Sequence, residues 1–546
     1  MVTIRSGLVG TVDPYAPDLP TELDTTLPTG WDGTADKTPG TAAQLIIDLA
    51  DVGTGTRQSN GGTPYIIELT SGTDYVGQFI IPDGGGSDWL IIRTSQHSGT
   101  LPATGTRVTD ATGMAKLSSA VTNAQIIRHS AGAKNVRFIG LEVSLEASGG
   151  ANYGMIRVGI EFNDTTTSGA IIFDRCYIHA DPTQCVNDGI YCWGGESIGV
   201  IDCRIADIVG YPGLGISESH GVWIHKFTGP SKIENCYIAA SSENILTGGA
   251  QSGGDPLDLV QDLIVRGNHL FKDEAWRTAL SDPGGVNDTK VPLLKNHFEL
   301  KEGTRVLFEG NKCENCWPAD GSQFGVSLVV KSDEGLTSHI TIRNNFTVDT
   351  DVAMTITGLG GATNLLHVHD NVFNITSKAG TPNFGDYSRM IIFGTGDAPT
   401  TEAFGILRFE NNTFYDAAAP SILSMFFANT LTNIGRLIAK NNIFGTSGSR
   451  FFSNGGAENI AALDLACAAY DFDTNMVVRG TPPTENATFA NFVTVADFVA
   501  VDWTSDTPDE TLANFVLTAD SPGYTTGTDG TDIGADIAAI TAALND

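Results

Sequence analysis

One short pattern recurs ten times through the middle of the chain and limits what it can fold into. The pattern is apolar, any, apolar, two polar or small residues, a Cys or Asn, any, apolar. Its key position is Leu141, Cys176, Cys203, Cys236, Asn268, Asn311, Asn345, Asn371, Asn412 and Asn442, with copies 26 to 43 residues apart. Three residues earlier stand Phe138, Phe173, Val200, Ile233, Val265, Phe308, Ile342, Val368, Phe409 and Ala439. The apolar residues within a copy alternate, so each copy reads as a strand with one buried face; the 3.6-residue period of a helical repeat is absent.

A single strand per copy cannot bury itself. Stacked as coils of a solenoid, such strands form a parallel sheet with neighbours about 4.8 Å apart, and the key position lines up along the axis. Stacked Asn side chains can hydrogen-bond to one another and hold a sharp turn; Cys suits a small buried slot. Further strands stand between the rungs, among them GIYCWG, GVWIHKF, NILTGG, HFELKEG, VSLVVKS and MTITGL. The expected fold is therefore all-β, a single-stranded right-handed parallel β-helix with short capping helices. A β-propeller is the alternative, but its blades need antiparallel hairpins, and the repeats are not arranged that way.

The pattern sets the expected organisation. Residues 1–35, rich in Pro, Thr and Asp, read as an N-terminal arm or attachment segment. Residues 36–125 hold an N-terminal cap and the first coils, with a short helix capped by Thr41 and closed by Gly53. Residues 126–446 form the β-helix proper, which is expected to begin near residue 60. Residues 447–546 supply C-terminal coils and a second cap, the Ala-rich helix AAITAAL.

Charge and cysteine content exclude several functions. With 31 Lys and Arg against 63 Asp and Glu, the formal net charge is −32, and nucleic-acid binding, which needs a basic footprint, is not expected. No apolar run is long enough to cross a membrane. The first residues, MVTIRSGLVG, lack a basic segment followed by an apolar core, so a secretory signal is not expected there. The eight cysteines do not form a disulfide framework: three are rungs, and Cys313 with Cys316 has neither a second metal-ligand pair nor a thioredoxin-like context.

The window from Arg266 to Lys312 carries an excess of bases: Arg266, Lys272, Arg277, Lys290, Lys295, Lys301, Arg305 and Lys312. On an acidic chain such a patch tolerates an anionic ligand; alternatively the bases pair with neighbouring acids. The insertion over 272–294 is long enough to form a lip. In HFELKEG, Phe298 and Leu300 are expected to point inward and Glu299 and Lys301 outward. In GVWIHKF, Val222 and Ile224 point inward and Trp223 and His225 outward. A sugar-binding face is thus expected around strands 222–226, 243–249 and 295–301, with Trp223, His225, Arg277 and His297 as substrate-binding residues. Trp223 could equally be covered by a loop or a partner subunit.

Three segments carry a resemblance: Glu243-Asn244…Gly248-Gly249, Arg266-Gly267-Asn268-His269, and Lys295-Asn296-His297-Phe298-Glu299-Leu300-Lys301. In this order, with the closing SPGY…GTDGTDIGAD, the chain resembles right-handed parallel β-helix proteins of the pectate-lyase-like superfamily, in a bacterial and phage branch that includes tailspike-like proteins. The resemblance implies the fold and a polysaccharide partner, and for a tailspike-like chain a homotrimer that meets tail or baseplate proteins through the N-terminal arm. It transfers no catalytic motif.

Two chemistries suit the residues. A hydrolase needs paired carboxylates, for which Glu218, Glu243 and Glu299 are the candidates. A lyase acting on uronic acids needs a basic residue, for which Lys295, Lys301 and Arg277 serve. No cofactor is expected from the motifs. Many relatives of this fold use Ca²⁺, and Asp255, Asp258 and Asp262 are the acids that could hold it, though carboxylates in a turn are more often solvated. Three functions follow: a phage tail spike or fibre that binds, and on the enzymatic reading depolymerises, a host surface polysaccharide, located on the virion; a secreted polysaccharide lyase or glycoside hydrolase; and a structural or adhesive β-helix without activity.

Overall fold

The computed structural model describes residues 19–545 apart from 54–61, 84–87, 147–150, 160–169, 250–259, 282–290, 318–324, 333–336, 376–388, 394–403, 417–423, 429–433, 446–450, 454–458, 479–492, 506–510 and isolated positions. The chain divides into two compact units, one spanning Pro20–Leu293 and the other holding Leu294–Asp546.

The N-terminal unit is a right-handed parallel β-helix with three sheets. The first sheet stacks Tyr65–Leu69, Leu90–Thr94, Val136–Ile139, Ile171–Asp174, Ile198–Ile201, Ser231–Glu234 and Gln261–Arg266. The second sheet stacks Asp74–Val76, Ala115–Ser119, Leu141–Leu145, Tyr177–Ala180, Arg204–Ile208, Tyr237–Ala240 and His269–Phe271. The third stacks Phe79–Ile81, Ile127–His129, Ile156–Gly159, Asp188–Gly195, His220–Phe227 and Glu243–Thr247. Paired strands run parallel throughout, as in Phe138↔Phe173↔Val200↔Ile233↔Val265. Like residues therefore lie over like, and the Phe138 and Phe173 rings stack 4.9 Å apart.

The rungs sit at the sharp turn from the first sheet to the second. The residue before each rung is left-handed: Arg175, Asp202, Asn235 and Gly267 have φ of 50, 57, 50 and 65°. This conformation favours Gly, Asn and Asp, and the following side chain steadies it. Cys203 Sγ accepts from the Cys176 amide at 3.3 Å and donates to the Ile201 carbonyl at 3.2 Å. Asn268 Oδ1 accepts from the Cys236 amide at 2.9 Å, and its Nδ2 donates to the Ile233 carbonyl at 2.9 Å. Thiol and carboxamide thus do the same work. All eight cysteines are free.

The helix Ala42–Gly53 covers the first coil, burying Leu45, Leu49 and Val52, and Thr41 Oγ1 accepts from the Gln44 amide at 3.2 Å as its cap. From residue 20 on, the segment read as an attachment arm is bound along the first sheet. Thr21 N donates to Asp262 Oδ1, Glu22 pairs with Lys232 at 2.8 Å, and Arg137 donates to the carbonyls of Thr25 and Thr26. Basic side chains on the outer face of that sheet find carbonyl and carboxylate partners in the segment. Residues 1–18 lie outside the described residues.

The C-terminal unit repeats the plan. Its first sheet runs Thr304–Glu309, Ser338–Arg343, Leu365–His369, Ile406–Glu410, Arg436–Lys440 and Tyr470–Asp473. Its second sheet runs from Lys312–Cys316 through Phe346–Thr350, Val372–Ile375, Thr413–Asp416, Ile443–Gly445 and Met476–Val478 to Val493–Val495; its third begins at Phe298–Leu300 and ends at Phe451–Ser453. Coils therefore continue past residue 446. The Asn ladder is unbroken here: each amide of Asn311, Asn345, Asn371, Asn412 and Asn442 donates to the Oδ1 of the next Asn, ending on Asn475. Asn475 is a rung the repeat count had not included.

The C-terminal helix, Ile537–Asn545, was expected as an end cap. It lies instead on the outer face of this second sheet, where Ile537 and Ile540 join Phe346, Val372, Tyr415, Ile443 and Met476 in one apolar cluster. The tail before it is pinned coil by coil, with Thr528 N on Asn441 Oδ1 and Ala535 N on Thr413 Oγ1. The apolar outward residues of the sheet need this cover. At the far end the helix meets Gly310 (φ 63°), where a Cβ would lie 2.6 Å from the Ala543 carbonyl oxygen.

Candidate functional site

Three successive strands of the third sheet in the N-terminal unit build a buried cluster of acids and an imidazole. Their register places Asp188, His220 and Glu243 in one rank. A second rank holds Arg157, Tyr191 and Trp223. Both ranks sit on the outer side of the sheet, which strict alternation would forbid. The resolution lies at Gly189 and Gly221. A Cβ on Gly189 would come 3.1 Å from Ile205 Cγ2, and one on Gly221 2.3 Å from Ile238 Cγ2. Both glycines therefore face the interior, as do the core residues Ile190 and Val222 that follow them. Two consecutive inward positions shift the phase and turn Asp188 and His220 outward, to the side of Tyr191 and Trp223.

His220 Nδ1 lies 2.7 Å from Asp188 Oδ1. Its Nε2 faces Glu243 Oε2 at 3.4 Å and Glu218 Oε2 at 4.0 Å. Glu218 comes from the loop before the strand, whose course is fixed by Asn187 Nδ2 donating to the Glu218 carbonyl at 2.7 Å. Burial by itself would lower the pKa of His220. The hydrogen bond to Asp188, then the charges of Glu243, Asp188 and Glu218, outweigh it and raise the pKa. Burial pushes Asp188 up as well, against its bond to His220. Both shifts act the same way: His220 and Asp188 each hold a proton more strongly than they would apart.

A cleft of about 230 Å³ opens beside this cluster, lined by Gln125, Tyr153, Gly154, Ile156, Arg157, Asn187, Asp188, Tyr191 and Trp223. Tyr191 and Trp223 stand 4.8 Å apart, Arg157 lies 5.6 Å over the Tyr191 ring, and the His220 ring is 4.9 Å from Trp223. Trp223 is half-buried, its Nε1 donating to the Gly248 carbonyl at 2.7 Å. Tyr153 is exposed at the cleft mouth.

The expected site residues are distributed as follows. Glu218, Glu243 and Trp223 meet around His220. His225 shares the outer side with Trp223 but is fully buried, its ring 4.4 Å from the Trp193 ring. Arg277 lies on the helix Glu274–Ser281 and pairs with Glu274 at 3.7 Å. Trp276 of that helix packs against Tyr211 and Ile216, in the loop leading to Glu218; residues 282–290 of the insertion, Lys290 among them, lie outside the described residues. Lys295, His297, Glu299 and Lys301 belong to the C-terminal unit. His297 there is fully buried, with Nδ1 on Ser327 Oγ and Nε2 on the Glu314 carbonyl, so it presents no face to a ligand. Glu299 is buried and pairs with Lys301 at 3.5 Å.

The excess of bases resolves into local partnerships. Lys272 is fully buried and donates to the carbonyls of Ala240, Ser241 and Ser242, and Lys312 pairs with Glu314 at 2.6 Å. Asp262 binds the Thr21 amide; Asp255 and Asp258 lie outside the described residues. Sequence reasoning missed Asp188, His220, Tyr191 and Arg157.

No protein-family profile matches the chain, and no curated protein matches it in sequence. Similar solved structures include an alginate lyase from Paenibacillus sp. str. FPU-7 (14% identity, 71% of this chain and 97% of that one, TM-score 0.35). The pectate lyase Pel9A is similar at 13% identity over 93% of this chain and 98% of that one, with a TM-score of 0.38. The tailspike gp49 of Acinetobacter baumannii bacteriophage Fri1, a capsular polysaccharide depolymerase, is similar at 9% identity over 84% of this chain and 64% of that one, with a TM-score of 0.35. The strand register described above defines the parallel β-helix independently of these likenesses.

Proposed function

We propose that the protein binds a polysaccharide in the Tyr191–Trp223 cleft of its N-terminal unit and cleaves it at the adjoining Asp188–His220–Glu243–Glu218 cluster. The observation that carries this reading is the meeting of an aromatic-walled cleft with buried acid and imidazole groups. Aromatic faces take the C–H face of a sugar ring, and Arg157 takes a hydroxyl or carboxylate. Glu218 and Glu243 bring carboxylate oxygens within 4.8 Å of each other beside the imidazole. Clustered groups that hold protons strongly suit proton transfer to a leaving oxygen.

The test incubates wild type, Trp223→Ala and Asp188→Asn with alginate, polygalacturonate, dextran and purified capsular polysaccharides, reading retention and new reducing ends. Trp223→Ala should lose binding at least tenfold and Asp188→Asn should lose cleavage. Wild-type behaviour of both, with native circular dichroism, refutes the assignment. The tail-spike form of the reading adds a homotrimer. Light scattering that reports one 57.6 kDa chain at micromolar concentration argues instead for a secreted enzyme.

A further inference from the structure

We propose that Glu218, His220 and Glu243 hold a divalent metal ion, and that zinc is the ion their donor set fits. Among the described residues these three form the one group of His, Cys, Asp or Glu whose ligand atoms lie mutually close, all within 4.8 Å. Tetrahedral zinc, with bonds of about 2.0–2.1 Å, sets its ligand atoms roughly 3.3 Å apart. His220 Nε2 and Glu243 Oε2 already stand at 3.4 Å. The 4.0 Å from Nε2 to Glu218 Oε2 closes with a small rotation, which is open to Glu218 because its side chain is 39% exposed.

The independent sign is the orientation of the imidazole. Its Nδ1 is 2.7 Å from Asp188 Oδ1, an acceptor, so Nδ1 carries the hydrogen. In the neutral ring this leaves the Nε2 lone pair aimed at two carboxylates. The side chain is only 3% exposed, and Nε2 makes no hydrogen bond among the described residues. A lone pair directed at two anions in a buried site is repulsive unless a cation stands between them. A carboxylate behind the distal nitrogen of a ligating His is also the usual support of a metal site, because it fixes the tautomer and raises ligand basicity. Three protein ligands with one side open to solvent leave a fourth position for water or substrate, the pattern of catalytic rather than structural zinc. Calcium fits poorly, since it takes six to eight oxygens and few nitrogens.

The inference goes beyond the saccharide reading, and its test needs no glycan. The full chain is stripped by dialysis against a chelator and titrated calorimetrically with ZnCl₂, with CoCl₂ as an optical probe and CaCl₂ as the competing arm. One zinc per chain is expected, together with the visible absorption of tetrahedral cobalt. Asp188→Asn should weaken zinc ten- to a hundredfold, and Glu218→Gln at least tenfold while leaving circular dichroism unchanged. Glu142→Gln, which alters the separate pair of Glu142 with His179 at 3.0 Å, should bind zinc as wild type. No saturable zinc site, unchanged binding in both Glu218→Gln and His220→Gln, or tighter binding of calcium than zinc would each overturn the proposal and leave a proton as the occupant of Nε2.

Discussion

Asn371 tests the wiring of the ladder. It is fully buried. Its Oδ1 accepts from the Asn345 amide at 3.0 Å and from Asn345 Nδ2 at 2.9 Å. Its Nδ2 reaches the Ile342 carbonyl at 3.0 Å, the His369 carbonyl at 2.9 Å and Asn412 Oδ1 at 2.9 Å, and can serve two of these at once. Asn371→Ala therefore removes about four hydrogen bonds and strands their partners away from water. At roughly 1 kcal/mol each, and more where a buried group stays unsatisfied, the loss is about 4 kcal/mol. The measurement is native-state hydrogen exchange, because a solenoid need not unfold in one step. The Asn345 amide should exchange about a thousandfold faster. Asn371→Cys should cost less than half as much, since Cys203 shows that a thiol can both accept the upstream amide and donate to a carbonyl. A loss below about 1 kcal/mol, or an unchanged Asn345 amide, would refute the claim that the stacked carboxamides hold the turns.

Other outcomes follow from buried charges and packing. His129 is fully buried with one hydrogen bond, Nδ1 to the Arg157 carbonyl at 3.2 Å, and burial holds it down at about 4. Because the folded value lies below the ordinary 6.5, the stability it contributes is present above pH 6.5 and is lost as pH falls toward 4, by up to about 3 kcal/mol. Urea midpoints across that range should fall less steeply in His129→Gln than in wild type, and equal slopes would contradict the assignment. Asp174, wholly buried, pairs with Arg137 at 2.7 Å and Arg175 at 2.6 Å; Asp174→Asn should cost about 3–5 kcal/mol in chemical denaturation by leaving buried guanidinium charge. Ile540→Ala should cost about 2–5 kcal/mol and raise exchange along Phe346–Thr350, whereas an effect confined to the helix would mean that the tail is not part of that sheet's packing.

The fold was legible because ten rungs repeat one physical solution. A left-handed turn residue, a small buried hydrogen-bonding side chain and alternating apolar neighbours each leave a mark in the sequence. Asn475 escaped notice because Phe472 and Met476 lie beyond the point where loop-like composition obscures the pattern. The site was only half legible. Glu218, Glu243 and Trp223 stood out by residue type, but alternation counted from Val222 has no place for His220 on the outer side. The missing signal was the opening residue of each aligned strand, where Asp188, Gly189 and Ile190 match His220, Gly221 and Val222. The repeated glycine marks the phase shift. The basic window misled because charge counts cannot say that Lys272 is spent on three carbonyls or that Lys312 is spent on Glu314.

The tail laid over the C-terminal unit also bears on how this chain can change over generations. Solenoids ordinarily grow or shrink by whole repeats, since each coil touches only its neighbours. Here Thr528, Ala535 and Ala543 meet Asn441, Thr413 and Gly310 in reverse order, so the tail measures the unit like a ruler. Duplicating one coil between Gly310 and Asn441 would move those contacts apart by about 4.8 Å. Restoring them would take about three more helical residues, at 1.5 Å each. Coil number and tail length are thereby coupled, and a repeat gained or lost among these coils should survive only with a matching change in the length of the tail.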